Sequence, residues 1–246
     1  AAKVVHEVIV VDNQSPDGTP AAAVEGLKRL PIPGRLLRNC DNYNLGGSQK
    51  VAFDYAAANG FAHVVVLHGD DQADLADLVP LLESGEHRDV DALLGSRFAR
   101  GARLMGYSWI RTAGNIVFNG LFSLAAGRLI SDLGSGLNLY RVESLKSGYF
   151  KRFADELTFN YYLILAHAAL RQRVRFFPIS WREEDQVSSV RIVSQTLKML
   201  RILRAYVFDR KAFLQGEHRA IARGDYPSEV VFENDAAIAS RTAQAC

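Results

Sequence analysis

Cysteine, long apolar runs and a charge imbalance are all scarce in this chain. Its 246 residues hold two cysteines, Cys40 and Cys246, neither in a CxxC or CxxxH setting. A disulfide framework and a cysteine metal site are therefore excluded, and a reducing, cytoplasmic setting is expected. No stretch reaches the ~18 uninterrupted apolar residues of a membrane span; the best candidate, Ile116 to Ile130, is broken by Asn119 and Arg128. A formal net charge of +2 gives no reason to expect a nucleic-acid partner. The chain opens Ala1-Ala2-Lys3 without a methionine and runs almost at once into a strand, so an N-terminal piece is expected to be missing.

What is present is an ordinary globular composition, 48% apolar and 23% charged. Val4 to Val11 (VVHEVIVV) is a β-branched run ending at Asp12, the pattern of a strand covered on both faces. A helix is expected over Pro20 to Leu30, capped by Thr19 and stopped by Pro31 and Pro33. A strand near Arg35 to Arg38, a helix from Gly47 to Asn59 and a strand from Ala62 to Leu67 follow. Further helices are expected over Leu75–Leu82, Trp109–Leu129, Glu156–Leu170 and Ser188–Phe213, and strand-like segments over Val90–Gly95, Asp132–Arg141 and Val174–Ile179. The alternation predicts an α/β fold with a mostly parallel, Rossmann-like sheet flanked by helices. One domain over 1–215 and a partly irregular tail over 216–246 are expected.

Polar residues concentrate after two of the strands. Asp12-Asn13-Gln14-Ser15-Pro16-Asp17-Gly18-Thr19 follows the first, and His68-Gly69-Asp70-Asp71-Gln72-Ala73-Asp74 follows another. In an open α/β sheet both loops lie where ligands bind. Taken alone, the first reads equally as a turn with a helix cap. The second places acids at 70, 71 and 74, which repel one another unless solvent or a cation compensates, and oxygen ligands of this kind suit Mg²⁺ or Mn²⁺.

The pairing of VVDNQSPDGT with VVVLHGDDQAD resembles glycosyltransferase family 2, most of all its polyprenyl-phosphate branch, which includes dolichol-phosphate mannose synthase. The similarity continues through NLGGSQKVAFDYAAANGF, GSRFARG, DLGSGLNLYR and FPISWREEDQVSS, from Val4 to Arg201. The resemblance implies the GT-A fold and an inverting transfer of sugar from a GDP- or UDP-sugar donor to a polyprenyl phosphate or a glycan hydroxyl. It places Asp12, Asn13, Asp17 and Gly18 at the nucleoside, and Asp70, Gln72 and His68 at a Mn²⁺ or Mg²⁺ ion. His68 stands where the family has an Asp and Asn13 where it often has a second one. Arg97, Arg111 and Arg141 match cations near the donor diphosphate or the acceptor phosphate, where a guanidinium holds phosphate oxygens in pairs. Ser189, after Ser188, matches a serine of a donor-closing loop whose Lys is replaced here by Val190.

Asp132 is the candidate general base for a hydroxyl acceptor; a phosphate acceptor is already an anion and needs none. Asp155 and Glu156 read as an acidic first turn of a helix. The basic amphipathic run Arg191 to Lys211 suits a membrane interface, packing on the domain, or a homodimer contact, so a peripheral position at the cytoplasmic membrane face stays open. The departures at His68, Asn13 and Val190 also keep open a catalytically silent domain that binds a sugar nucleotide or a partner protein.

Overall fold

The computed structural model describes residues 4–106, 108–182 and 190–238. The β-branched run becomes β1 (Val8–Asp12), which pairs in parallel with β2 (Gly34–Asn39) so that Asp12 lies opposite Arg38. Between them runs α1 (Thr19–Lys28), with Pro20 in its first turn; its cap position is Gly18 rather than the expected Thr19. Thr19 N–H instead donates to Asp17 Oδ1 at 2.9 Å, so the aspartate starts the helix. Next come α2 (Asn44–Ala58), β3 (His63–Leu67), α3 (Val79–Glu83) and β4 (Ala92–Ser96). The single helix expected over 75–82 is instead a 3-10 turn, Leu75–Asp77, followed by α3, which Pro80 opens.

After β4, a short strand β5 (Arg103–Met105) leads to α4 (Trp109–Ala126), which ends where Gly127 turns left-handed at φ +66°. The chain continues through β6 (Leu137–Arg141), α5 (Val142–Leu145), α6 (Phe159–Ala169), β7 (Val174–Pro178) and β8 (Ser180–Arg182). The helix expected over 188–213 is two, α7 (Val190–Phe208) and α8 (Arg210–Gln215), because Asp209 leaves helical geometry and caps Ala212 N–H at 2.8 Å. Last comes β9 (Ser228–Glu233), within the expected irregular tail, antiparallel to β2.

The sheets are mixed rather than mostly parallel. One has the order β1-β2-β9, a second β3-β6-β4-β7, and a third pairs β5 with β8. In the second, β4 and β7 are parallel while β6 runs antiparallel to both β3 and β4. The loop after α4 returns the chain to the far end of β3, where His68 N–H donates to Gly136 carbonyl at 2.8 Å. From there β6 can only run backwards along its neighbours.

Both faces of this central sheet are covered, as hydrophobic strands without alternation require. Ala92 and Leu94 face one apolar cluster with Phe53, Phe122, Phe159 and Leu163, and Leu93 faces another with Leu78, Phe177 and Trp181. Each leucine and phenylalanine among them contributes ~1.5–3 kcal/mol on burial. The β1 sheet is less covered: its residues 8–11 are half-buried, whereas all of β4 is buried. Among the described residues β1 bonds only to β2 and β3 only to β6, and α2 lies against both β1 and β3.

Candidate functional site

The carboxyl ends of β1 and β2 form one wall of the site, and side-chain amides build it. Asn39, 1% exposed, donates from Nδ2 to Asn13 Oδ1 and to Ser48 Oγ, both at 3.0 Å. Asn13 Oδ1 also accepts Tyr43 N–H at 2.7 Å, and Asn13 Nδ2 donates to Asn42 Oδ1 at 2.8 Å. Gln14, left-handed at φ +63°, donates its amide to the Asn39 carbonyl. Asp12 is buried behind this network; its Oδ1 accepts Ser15 N–H at 3.1 Å, while Oδ2 has no hydrogen bond and lies 3.7 Å from Arg38 Nε. A buried carboxylate oxygen without a donor is costly in a folded protein, and an N–H or O–H of a ligand would satisfy it. Asp17 lies exposed at the start of α1, its carboxyl held below the usual range by hydrogen bonds from Thr19, and Gly18 beside it has open space around it.

The β3 end is built differently. Asp70 is exposed and its Oδ1 accepts only the Gln72 N–H, at 3.2 Å. Asp71 is left-handed at φ +56° and pairs with Arg182 at 3.2 Å across solvent, a contact worth little. Asp74 is spent on Ala76 N–H at 2.9 Å. His68 is half-buried; its Nε2 lies 3.4 Å from Gln49 Nε2, and a Cβ on Gly136 would stand 3.3 Å from its ring. Burial pushes the imidazole below its ordinary pKa, against the opposing pull of Asp70, so it is neutral at neutral pH. No group of three His, Cys, Asp or Glu side chains able to hold an ion occurs among the described residues. The expected His68, Asp70 and Gln72 set thus offers one open carboxylate beside a half-buried imidazole among the described residues. Such a set would hold Mn²⁺ or Mg²⁺ only together with diphosphate oxygens of a bound donor, which ions of this kind readily take as ligands.

Beyond β4 lies the best-organised charge of the site. Asp132, 1% exposed, receives Arg97 Nε on Oδ2 and Arg97 Nη2 on Oδ1, both at 2.8 Å. It also accepts the Arg97 and Gly134 backbone N–H groups at 2.9 and 3.1 Å. The Arg97 guanidinium lies 5.1 Å from the Trp181 ring centre. A carboxylate engaged by four donors is poorly placed to take a proton, so the geometry gives Asp132 an anchoring role rather than that of a base.

Other expected residues fall elsewhere. Arg141 ends antiparallel β6 opposite His63, at the start of β3, and binds the Val90 carbonyl at 3.0 Å. Four residues of β3 separate it from the loop at 68–74, ~17 Å at strand rise. This placement gives no support to its expected phosphate role: β6 reverses direction and carries it to the opposite end of the strands. Arg111 sits half-buried in the first turn of α4. Ser189 and Ser188 lie outside the described residues.

The sequence reading missed a buried node behind the first wall. Lys50, fully buried, donates from Nζ to the Phe153 carbonyl and Asp155 Oδ1 at 2.6 Å and to Tyr226 Oη at 3.0 Å. Burial lowers its pKa to about 8 despite Asp155. Tyr226 in turn packs edge-on against Tyr43 at 5.2 Å, and a Cβ on Gly47 would stand 2.4 Å from Tyr43 Cβ. A lysine among the buried positions of α2 was the only available signal. Asp155 is thereby a partner of Lys50, not an acidic helix turn.

Comparisons with known proteins agree with this architecture. Polyprenol monophosphomannose synthase of Mycolicibacterium smegmatis is 28% identical over 139 residues, covering 56% of this chain and 52% of that protein, so the chain spans about half the length of that relative. Glucosyl-3-phosphoglycerate synthase from Mycobacterium tuberculosis, solved with phosphoglyceric acid, superposes with a TM-score of 0.53 at 15% identity over 96% of this chain and 81% of its own. Residues 1–349 of S. aureus TarS superpose with a TM-score of 0.50 at 15% identity, over 84% of this chain and 64% of theirs. These structures share the fold. The family model for glycosyl transferase family 2 matches residues 3–148, more than half of the protein, and the chain belongs to that family.

Proposed function

We propose that this chain is the donor-binding and catalytic unit of an inverting glycosyltransferase, moving a sugar from a nucleotide-sugar to a polyprenyl phosphate or, second, to a glycan hydroxyl. One observation carries the reading most directly: the Arg97–Asp132 pair, buried and joined by two hydrogen bonds at 2.8 Å, at the carboxyl end of β4. A guanidinium so fixed suits the negative charge that grows on a departing nucleoside diphosphate, and it needs no reorganisation when the charge appears. Asp12 serves the nucleoside through its Oδ2, which accepts no hydrogen bond within the protein, and Asp17, Gly18 and Asn13 shape the pocket around it. Asp70 faces the diphosphate side, with Arg111 as a second cation. The acceptor attacks the anomeric carbon from the face opposite the leaving group.

With Asp132 engaged by Arg97, an acceptor that is already an anion fits better than one that must lose a proton. The relative named for polyprenol monophosphate chemistry supports the same choice. A silent binding domain is favoured only by the incomplete ligand set around His68.

The test is release of nucleoside diphosphate from a panel of GDP- and UDP-sugars, with Mn²⁺, Mg²⁺ or chelator, by the full-length protein. Turnover of one donor, falling in an Asp70→Ala variant, is expected. If no donor is turned over under any condition, and that variant binds nucleotide as the parent does, the enzymatic reading is lost and the silent one stands.

A further inference from the structure

The outer surface of α4 is apolar where a helix of a globular protein normally turns polar. Trp109 is 77% exposed, Val117 60% and Leu124 83%, with Ile116 and Leu121 also open to solvent. At 100° per residue these positions share one stripe, while Asn119 and Phe122 on the opposite side are buried. Beside α4 packs α7, which buries Met199, Ile202, Leu203 and Tyr206 and exposes a second stripe of Leu197, Leu200, Arg201, Arg204 and Phe208. Two neighbouring helices thus present aliphatic and aromatic side chains outward, which a water-facing surface has no reason to do.

Within the two segments the charge has one sign, although Lys198 pairs with Glu156 of a neighbouring loop. Between Asp91 and Asp132 the sequence has no Asp or Glu but contains Arg97, Arg100, Arg103, Arg111 and Arg128. Between Asp185 and Asp209 it again has none, against Arg191, Lys198, Arg201 and Arg204. Arg100, Arg103, Arg201 and Arg204 are exposed. A second copy meeting this surface face to face would set cation against cation, with no acid in either segment to answer it. No helix among the described residues is long and apolar enough to cross a membrane, so the surface suits lying on a bilayer rather than spanning it.

We propose that the outer face of α4, together with the exposed stripe of α7, docks on an anionic lipid bilayer, apolar side chains entering the headgroup boundary and arginines meeting lipid phosphates. The inference rests on the lipid-phosphate reading of the acceptor for its purpose, though not for its physics: a chain that meets such an acceptor must work at the membrane surface. Trp109 and the α4 aliphatics supply the interfacial insertion, and the arginines supply the attraction.

The test is vesicle flotation of the full-length protein with phosphatidylcholine alone and with about one-third phosphatidylglycerol, alongside tryptophan emission. Only Trp109 and Trp181 contribute, and Trp181 is buried. Binding to the anionic vesicles, a blue shift of emission that is absent in a Trp109→Phe variant, and release by high salt are expected. The double variant Val117→Glu/Leu124→Glu, at positions mostly open to solvent, should bind at least ~10-fold more weakly, with an unchanged circular dichroism spectrum. An Arg201→Gln/Arg204→Gln variant should lose the preference for anionic over neutral vesicles. Absence of binding, equal binding by the α4 variant, or a dimer in solution that the same α4 variant dissolves would each overturn the proposal. Nucleoside diphosphate release measured without vesicles separates the two readings, since the α4 variant should keep it: a parent protein that turns over donor but does not dock faults the surface alone, and a parent that docks without any turnover faults the enzymatic reading.

Discussion

The two strand ends that carry the polar residues are built in opposite ways. At the end of β1 and β2 neutral amides tie one another together, Asn39 to Asn13 and Ser48, Asn13 to Asn42 and Tyr43, with most of the network shielded from water. At the end of β3 the carboxylates of Asp70, Asp71 and Asp74 stand exposed, held by their own turns and a solvent-spanning contact to Arg182. A wall that satisfies itself is preformed and contributes to stability; open charges contribute little to the fold and respond to what binds. The expected division is that substitutions at the first end cost folding free energy, while those at the second cost ligand binding and turnover.

The largest effect should come from Asp132, which fixes a cation beside the second end. Asp132→Ala strands a buried guanidinium, and removal of one partner from such a pair typically costs ~3–5 kcal/mol. Urea unfolding should show that loss, with turnover abolished. Asp132→Asn, keeping the shape, should retain more stability than turnover. If Asp132→Ala unfolds at the parent's midpoint, the second end owes nothing to this pair and the contrast between the ends widens.

Asp70→Ala comes next and bears on the contrast most directly. Its turnover should fall ~10²-fold, about 2.7 kcal/mol of transition-state stabilisation, while unfolding free energy stays within about 0.5 kcal/mol of the parent, as for surface substitutions generally. A large loss of stability would mean that the open end is not open. Asn39→Ala is the converse. It removes one donor each from Asn13 Oδ1 and Ser48 Oγ and should cost ~1–3 kcal/mol of stability, with donor affinity falling only as the wall loosens. Equal effects of Asn39→Ala and Asp70→Ala on stability would dissolve the distinction.

The contrast was only half legible in the sequence. The strand ends announced themselves, because buried β-branched runs stop at Asp12 and at Leu67 and the polar residues follow. What those residues bond to was not legible, since Asn39, Ser48 and Tyr226 reach their partners through folding and no local spacing encodes it. Lys50 shows the same limit: a lysine in α2 reads as solvated until Asp155 and Tyr226 arrive from 105 and 176 residues away. Direction was the other hidden quantity. DLGSGLNLYR reads as a strand, but nothing in it says that β6 runs antiparallel, and that reversal carries Arg141 to the opposite end of the strands. Arg97 shows the opposite case, expected as a phosphate ligand and found after β4, held in place by a carboxylate that had been read as a base.

Acid acts away from both walls. Burial pushes His63 and His167 down to about 4, with nearby His87 and Arg141 adding to the first and Gln172 opposing the second. Both folded values lie below the ordinary 6.5, so between about 4 and 6.5 the unfolded chain takes up protons that the folded chain refuses. Stability present above pH 6.5 is therefore lost as pH falls through that window, by at most ~1.4 kcal/mol per pH unit for buried His167 and by less for half-buried His63, which solvent screens. Urea midpoints measured from pH 7 to 4.5 should show the decline. His167→Phe keeps a ring against Tyr140, which His167 stacks on at 5.9 Å, and removes one titrating group, so its slope should be shallower by one proton. His68→Gln should flatten the same curve only slightly if the β3 end is as loosely tied to folding as its exposed carboxylates indicate. A flattening equal to that of His167→Phe would move His68 from the open end into the structural core.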